Sequence, residues 1–143
     1  MNAKKFTKYY VKNLKLILDN IDSRLIEEII ISLEETILKK SKVYVIGNGG
    51  SCSTASHIAN DLGVGLKRRK ILNLNILSLG DNNSIITALA NDIGYKNIFY
   101  TQIKGILNSN DLVIALSCSG NSPNIIKAVT YAKSVGCKIV GLT

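Results

Sequence analysis

The 143-residue chain has no tryptophan, one proline and a single histidine, His57. Its three cysteines, Cys52, Cys118 and Cys137, are odd in number and show no CxxC spacing. That excludes a disulfide framework and a cysteine zinc site. No apolar run approaches the ~18 residues a membrane span needs. The N-terminal MNAKKFTKYYVKNLK alternates lysines with apolar residues and has neither a signal-peptide core nor a cleavage site. A dinucleotide fingerprint GxGxxG fails because Cys52 stands in the third glycine position, and the phosphate-binding GxxxxGK(S/T) is absent, so no nucleotide cofactor is expected. These absences together predict a reduced, cytoplasmic protein that does not enter a membrane.

What remains is ordinary globular composition, 46% hydrophobic and 20% charged, in a chain long enough to bury its own core. The net charge of +8 is uneven. Nine of the eighteen Lys and Arg lie in residues 1–42, where six acids offset them, and four more are consecutive at Lys67-Arg68-Arg69-Lys70. Few aromatics accompany that run and no nucleic-acid motif surrounds it. It therefore reads as a solvated basic surface that attracts small anions, and nucleic acid is not expected as a partner.

Two parts succeed one another. Over residues 3–19, Phe6, Tyr10, Leu14 and Ile17 fall on one helical stripe. Asp22 or Ser23 can cap a second helix, in which Ile26, Ile29, Ile30, Leu33 and Ile37 repeat the pattern. Leu18, Leu25 and Ile31 widen the apolar face beyond what one packing layer covers, so the helices are expected to bury a second side against another subunit. This sets a helical pair at 1–41, for oligomerisation, before a domain at 42–143.

From Lys42 onward the pattern changes. KVYVI, LNLNILSL, DLVIALS and CKIVGLT read as strands, with helical segments at 52–62, 83–90, 95–107 and 123–135 between them. Alternating strands and helices predict a three-layer αβα domain on a parallel sheet. Ligands of such sheets bind where loops leave the carboxyl ends of strands. Two loops qualify, after Ile46 and after Leu116.

The first is Gly47-Asn48-Gly49-Gly50-Ser51, whose glycines permit a sharp turn and let backbone N–H groups approach an anion at the start of a helix. The second, LSCSGNSPN, offers Ser117, Ser119 and Ser122, with Pro123 at the first turn of a helix and Ser122 as its cap. Hydroxyls and N–H groups converging at a helix start suit a phosphate monoester. His57 and Asp61, one turn apart behind the first loop, share a helix face. Their spacing leaves three readings open: two metal ligands, an acid–base group, or a structural histidine.

GNGGSCSTASHIANDL, ANDIGYKNIF and SCSGNSPNIIKAV…GLT resemble the successive blocks of the sugar isomerase (SIS) domain, and within it the phosphoheptose isomerase branch. The resemblance covers essentially the whole chain. It implies a flavodoxin-like sheet, a homotetramer built partly by the N-terminal helices, and conversion of sedoheptulose 7-phosphate to a glycero-manno-heptose 7-phosphate for surface polysaccharide precursors such as lipopolysaccharide. By position, Asn48, Gly49, Gly50 and the adjoining Ser51 match a substrate loop, Asn91 and Asp92 a substrate-contacting pair, and Ser117, Cys118, Ser119 and Ser122 a phosphate loop. His57 and Asp61 match an HxxxE pair that binds zinc in some members, and the carboxylate at 61 matches the base of an enediol-type proton transfer.

Three departures accompany the resemblance. Asp61 is one methylene shorter than the family's glutamate. Cys118 replaces a threonine and loses a hydroxyl. The family pattern also continues past Thr143 through another strand to a helix with a partner histidine, whereas this sequence has no second histidine. Two function classes follow. One is a phosphosugar isomerase. The other is a non-catalytic SIS-domain protein that binds a carbohydrate derivative, either as a sensor or in association with a replication initiator.

Overall fold

The computed structural model describes residues 2–143. It divides into two compact units, one ending at Ile30 and the other covering Ile31–Thr143. In the first, helix α1 (Ala3–Asp19) leaves none of its residues buried. Phe6 and Tyr10, one turn apart, stack with ring centroids 6.2 Å from each other. Helix α2 (Ser23–Leu38) starts where Asp22 Oδ1 accepts the backbone N–H of Arg24 at 2.9 Å, a bond that satisfies one of the free amides of its first turn.

The second unit is built on a parallel sheet of β1 (Lys42–Gly47), β2 (Asn75–Ser78), β3 (Leu112–Leu116) and β4 (Lys138–Leu142), in the spatial order β2-β1-β3-β4. Side chains alternate along each strand and so feed two cores. Val43, Val45, Leu112 and Ile114 face one way and pack with Ala55 and Ile58 of helix α3 (Gly50–Ala59) and with Leu33 and Ile37 of α2. Tyr44, Ile46, Val113 and Ala115 face the other way. They meet Ile98, Phe99 and Ile103 of α6 (Ile98–Ile103) and Ile125, Ala128 and Ala132 of α7 (Pro123–Val135). These are the three layers that the strand–helix alternation predicts.

Several boundaries differ from the sequence reading. The expected strand over 72–79 is regular only at Asn75–Ser78. The expected helix over 95–107 begins as a 3-10 turn at Tyr95–Asn97 and ends at Ile103, and Gly105 then turns the chain with φ of +79°. Helix α3 starts two residues earlier than expected. Past Ala59 it widens into a π-helix over Asn60–Gly65, followed by the single turn α4 (Leu66–Arg68). Helix α5 (Asn83–Ile93) runs three residues longer than its apolar pattern.

At the amino ends of the strands, Asp111 is 1% exposed and fixes the approach to β1 and β3. Its carboxylate accepts from the backbone N–H of Lys42 at 2.9 Å, the backbone N–H of Asn108 at 3.0 Å and the Asn108 amide at 2.8 Å. The Cys137 thiol donates to the Asp111 carbonyl at 2.8 Å. Burial, and then the charge of Asp111, push that thiol up to about 11, which keeps it protonated and unreactive. None of the three cysteines is in a disulfide, and no helix among the described residues is long and apolar enough to cross a membrane.

Candidate functional site

Strands β1 and β3 are neighbours, and Gly47 pairs in register with Leu116. The glycine and serine loops therefore leave adjacent strand ends on the carboxyl edge. The chain returns from β1 through α3 on one face and enters β3 from the other, which opens a crevice between the two ends. Helices α3 and α7 both start at this edge and point their positive ends toward it.

Local sequence explains the shape of the first loop. Gly49 adopts φ of +52°, a region that L side chains rarely enter. A Cβ on Gly47 would lie 2.7 Å from the backbone of Ser51. Ser51 and Cys52 return their N–H groups to the Asn48 carbonyl at 3.0 and 3.3 Å, winding the first turn of α3.

The two loops are joined by a reciprocal amide pair. Asn48 Nδ2 donates to Asn124 Oδ1 at 3.0 Å, and Asn124 Nδ2 donates to Asn48 Oδ1 at 2.8 Å. The Tyr95 hydroxyl adds a third bond, donating to Asn48 Oδ1 at 3.0 Å. Asn124 is 2% exposed, so losing this partner would leave a buried amide unpaired. The Asn48 side chain thus holds the loops together, and the loop's backbone is what it offers a ligand.

In the serine loop the three hydroxyls occupy different settings. Ser117 is buried and its N–H bonds the Leu142 carbonyl at 2.9 Å. Ser119 Oγ accepts the Asn121 N–H at 3.2 Å and keeps its own proton for donation. Ser122 takes the cap position of α7 with extended backbone, but its hydroxyl makes no capping bond, so it too can serve a ligand. Cys118 is exposed between them.

A cavity of about 490 Å³ lies at the carboxyl ends of β1 and β2, with Asn48, Gly49, Cys52, Ser56, Asp81 and Tyr95 in its wall. Burial, and then Asp81, raise the Cys52 thiol above its usual range. A Cβ at Gly80 would lie 2.1 Å from Cys52 Sγ, so a side chain there would displace the thiol from its present place in this wall.

The structure does not bring every expected residue into that wall. Gly50 is exposed and Ser51 half-buried on the first turn of α3. Asn91 and Asp92 are exposed on α5, where the Asn91 amide donates to Asp92 Oδ1 at 2.9 Å. His57 and Asp61 form their own pair, Nε2 to Oδ2 at 3.0 Å, with side chains 74% and 60% exposed. Neither belongs to the wall of the cavity. Three protein ligands are the minimum for a catalytic zinc, and among the described residues no third His, Cys, Asp or Glu joins this pair. The residues present do not by themselves make a zinc site.

Asn124, Tyr95, Ser56 and Asp81 escaped the sequence reading. The carboxyl-edge rule that flagged the loops after Ile46 and Leu116 applies equally to the loop after Ser78. It would have found Asp81.

The sequence profile of the SIS domain matches residues 9–143, and the chain belongs to the SIS domain family. Phosphoheptose isomerase of Helicobacter pylori strain P12 is 40% identical over 110 residues, 77% of this chain and 57% of that protein. Phosphoheptose isomerase of Pelobacter propionicus is 39% identical over 110 residues, 77% of this chain and 58% of that one. The chain thus spans less than two thirds of the curated relatives it matches. The solved structure of a phosphoheptose isomerase from Francisella tularensis superposes with a TM-score of 0.89 at 26% identity, over all of this chain and 75% of that one. One from Neisseria gonorrhoeae shares the fold, with a TM-score of 0.86 at 24% identity, over all of this chain and 76% of that one.

Proposed function

We propose that this protein is a phosphosugar isomerase that interconverts sedoheptulose 7-phosphate and glycero-manno-heptose 7-phosphate. The observation that carries the reading is the Asn48–Asn124 amide pair, which ties a glycine loop and a serine loop side by side at one sheet edge. The phosphate is held at the start of α7 by the Ser119 and Ser122 hydroxyls and the helix N–H groups. The sugar extends over the glycine loop. Isomerisation moves a proton between the carbonyl carbon and its neighbour through an enediol, and Asp61 is the carboxylate assigned to that transfer.

Asp61 is exposed on a single chain, so its role is coupled to assembly. Phe6, Tyr10, Ile17 and Leu18 of α1 are between 50% and 65% exposed, an apolar surface suited to burial between subunits of a homotetramer. A neighbouring subunit covering the stretch after α3 would enclose Asp61 together with the substrate. The same reading places the protein in the cytoplasm, in the supply of surface polysaccharide precursors.

The test is binding followed by turnover. Ser119→Ala and Ser122→Ala should each weaken sugar-phosphate binding by about 1.5 kcal/mol, the scale of a hydrogen bond to a charged group. Unchanged affinity in both variants removes the phosphate assignment. In the assembled enzyme, Asp61→Asn should lower turnover on the order of a hundredfold and leave binding nearly intact. The exposed His57–Asp61 pair also favours a second reading, a SIS-domain protein that binds the sugar phosphate without turning it over. Tight binding by an assembled protein with no isomerisation, in the parent and in Asp61→Asn alike, would establish that alternative.

A further inference from the structure

One carboxylate in the cavity wall has no part in the scheme above. Asp81 follows β2, at the far side of β1 from the serine loop. Ser56 of α3 donates a hydrogen bond to its Oδ1, and the Ser56 hydroxyl also lies 3.0 Å from the Cys52 carbonyl. Among the described residues nothing bonds Asp81 Oδ2, and no Lys or Arg pairs with the carboxylate. An exposed acidic group bonded by Ser56, with its second oxygen free, faces a cavity walled on its β1 side by Asn48 and Gly49, and the Asn48–Asn124 pair ties that wall to the serine loop outside the cavity.

A carboxylate repels phosphate and accepts hydrogen bonds from hydroxyl groups. The charge arrangement therefore allows one orientation of a phosphorylated sugar, with phosphate at the β3 loop and hydroxyls at the β2 loop. The ends of β3, β1 and β2 are consecutive in the sheet. Two strand spacings separate the outer pair, about 10 Å. An extended sugar phosphate of six or seven carbons spans that distance, and a triose phosphate does not.

We propose that Asp81, oriented by Ser56, is a specificity-determining residue that accepts the hydroxyls at the end of the sugar remote from phosphate and so selects long-chain sugar phosphates. This rests on the phosphosugar reading and adds a ruler to it. Asp81 binds the ligand directly, and Ser56 acts through Asp81 as a positioning residue.

Calorimetric titration of the 143-residue protein with sedoheptulose 7-phosphate, dihydroxyacetone phosphate and inorganic phosphate tests this. The parent should bind the heptulose phosphate at least about tenfold more tightly than the triose phosphate, the value of one charged hydrogen bond. Asp81→Ala should abolish that preference and leave the affinities for triose phosphate and inorganic phosphate within about twofold. Asp81→Asn, which keeps the shape and an acceptor for Ser56, should lose part of the preference, and Ser56→Ala a smaller part. Retention of the preference in Asp81→Ala overturns the proposal. So does an equal weakening of all three ligands, the mark of a collapsed loop, or an equal strengthening, the mark of simple charge repulsion. If the parent binds all three equally, this inference falls while the phosphate site stands. If the parent binds none, the phosphosugar reading falls and this inference with it.

Discussion

The helices before Ile30 and the sheet after Ile31 are both rich in apolar residues, and they use them in opposite ways. In the sheet unit Val43, Val45, Leu112 and Val113 are wholly buried. In the helical unit Tyr9 and Ile17 are each 65% exposed. Burial of apolar area is what stabilises a fold, so the sheet unit carries the stability of the chain. The helical unit leaves its apolar residues exposed.

Substitutions can break that contrast. The largest effect should come from Phe99→Ala, which empties a 1%-exposed site in the core under α6 and should cost about 3–5 kcal/mol in urea unfolding. Asp111→Ala should follow at about 3 kcal/mol, because three donors that now meet its carboxylate would lose their acceptor. A loss under 1 kcal/mol in either would show that the sheet core is not the seat of stability. Ile17→Asp with Leu14→Lys should change unfolding of the isolated chain by no more than about 0.5 kcal/mol. Light scattering should nevertheless show any assembly falling apart. An undisturbed oligomer would mean that α1 is not its interface.

The smallest effect is a pH dependence. Glu35, near the end of α2, meets Lys138 of β4 at 2.7 Å. The Lys138 hydrogen bond, and then its charge, hold the Glu35 carboxyl below its ordinary range. A lowered folded-state pKa contributes stability that is present above the unfolded carboxylate value and is lost as pH falls through the folded one. Glu35→Gln should therefore lie slightly below the parent in Tm at neutral pH and converge with it in acid. A gap that widens toward low pH would contradict the ion pair.

The contrast between units also marks what could be read in advance. Periodicity located α1, α2 and α7 to the residue at most ends, because each has a clear apolar stripe or a terminal signal such as Asp22 or Pro123. Strand positions were legible from apolar runs bounded by polar residues. Strand lengths were less so, since Leu72 and Leu74 pack against the core without joining the ladder. The two loops at the carboxyl edge were legible from glycine and serine content. The amide pair that joins them was not, because Asn124 lies 76 residues from Asn48 and no local pattern couples them. Asp81 was hidden for another reason. Its sequence neighbours, Asn82 and Asn83, make it look like ordinary turn chemistry, and Asn82 does cap α5.

The π-helical stretch over Asn60–Gly65 has an implication for how the chain tolerates a change of length. Each of its hydrogen-bonded rings encloses one more residue than an α-helical ring. Deleting a residue there would restore regular winding at no cost to the strands, whereas the same deletion in α7 would put its buried face out of phase with β3. Gly63 makes the wide turn compatible with the sheet, since a Cβ there would come within 2.9 Å of Ile76 Cγ2. Among homologous chains, this segment is where one-residue gaps should concentrate, leaving the strand register untouched.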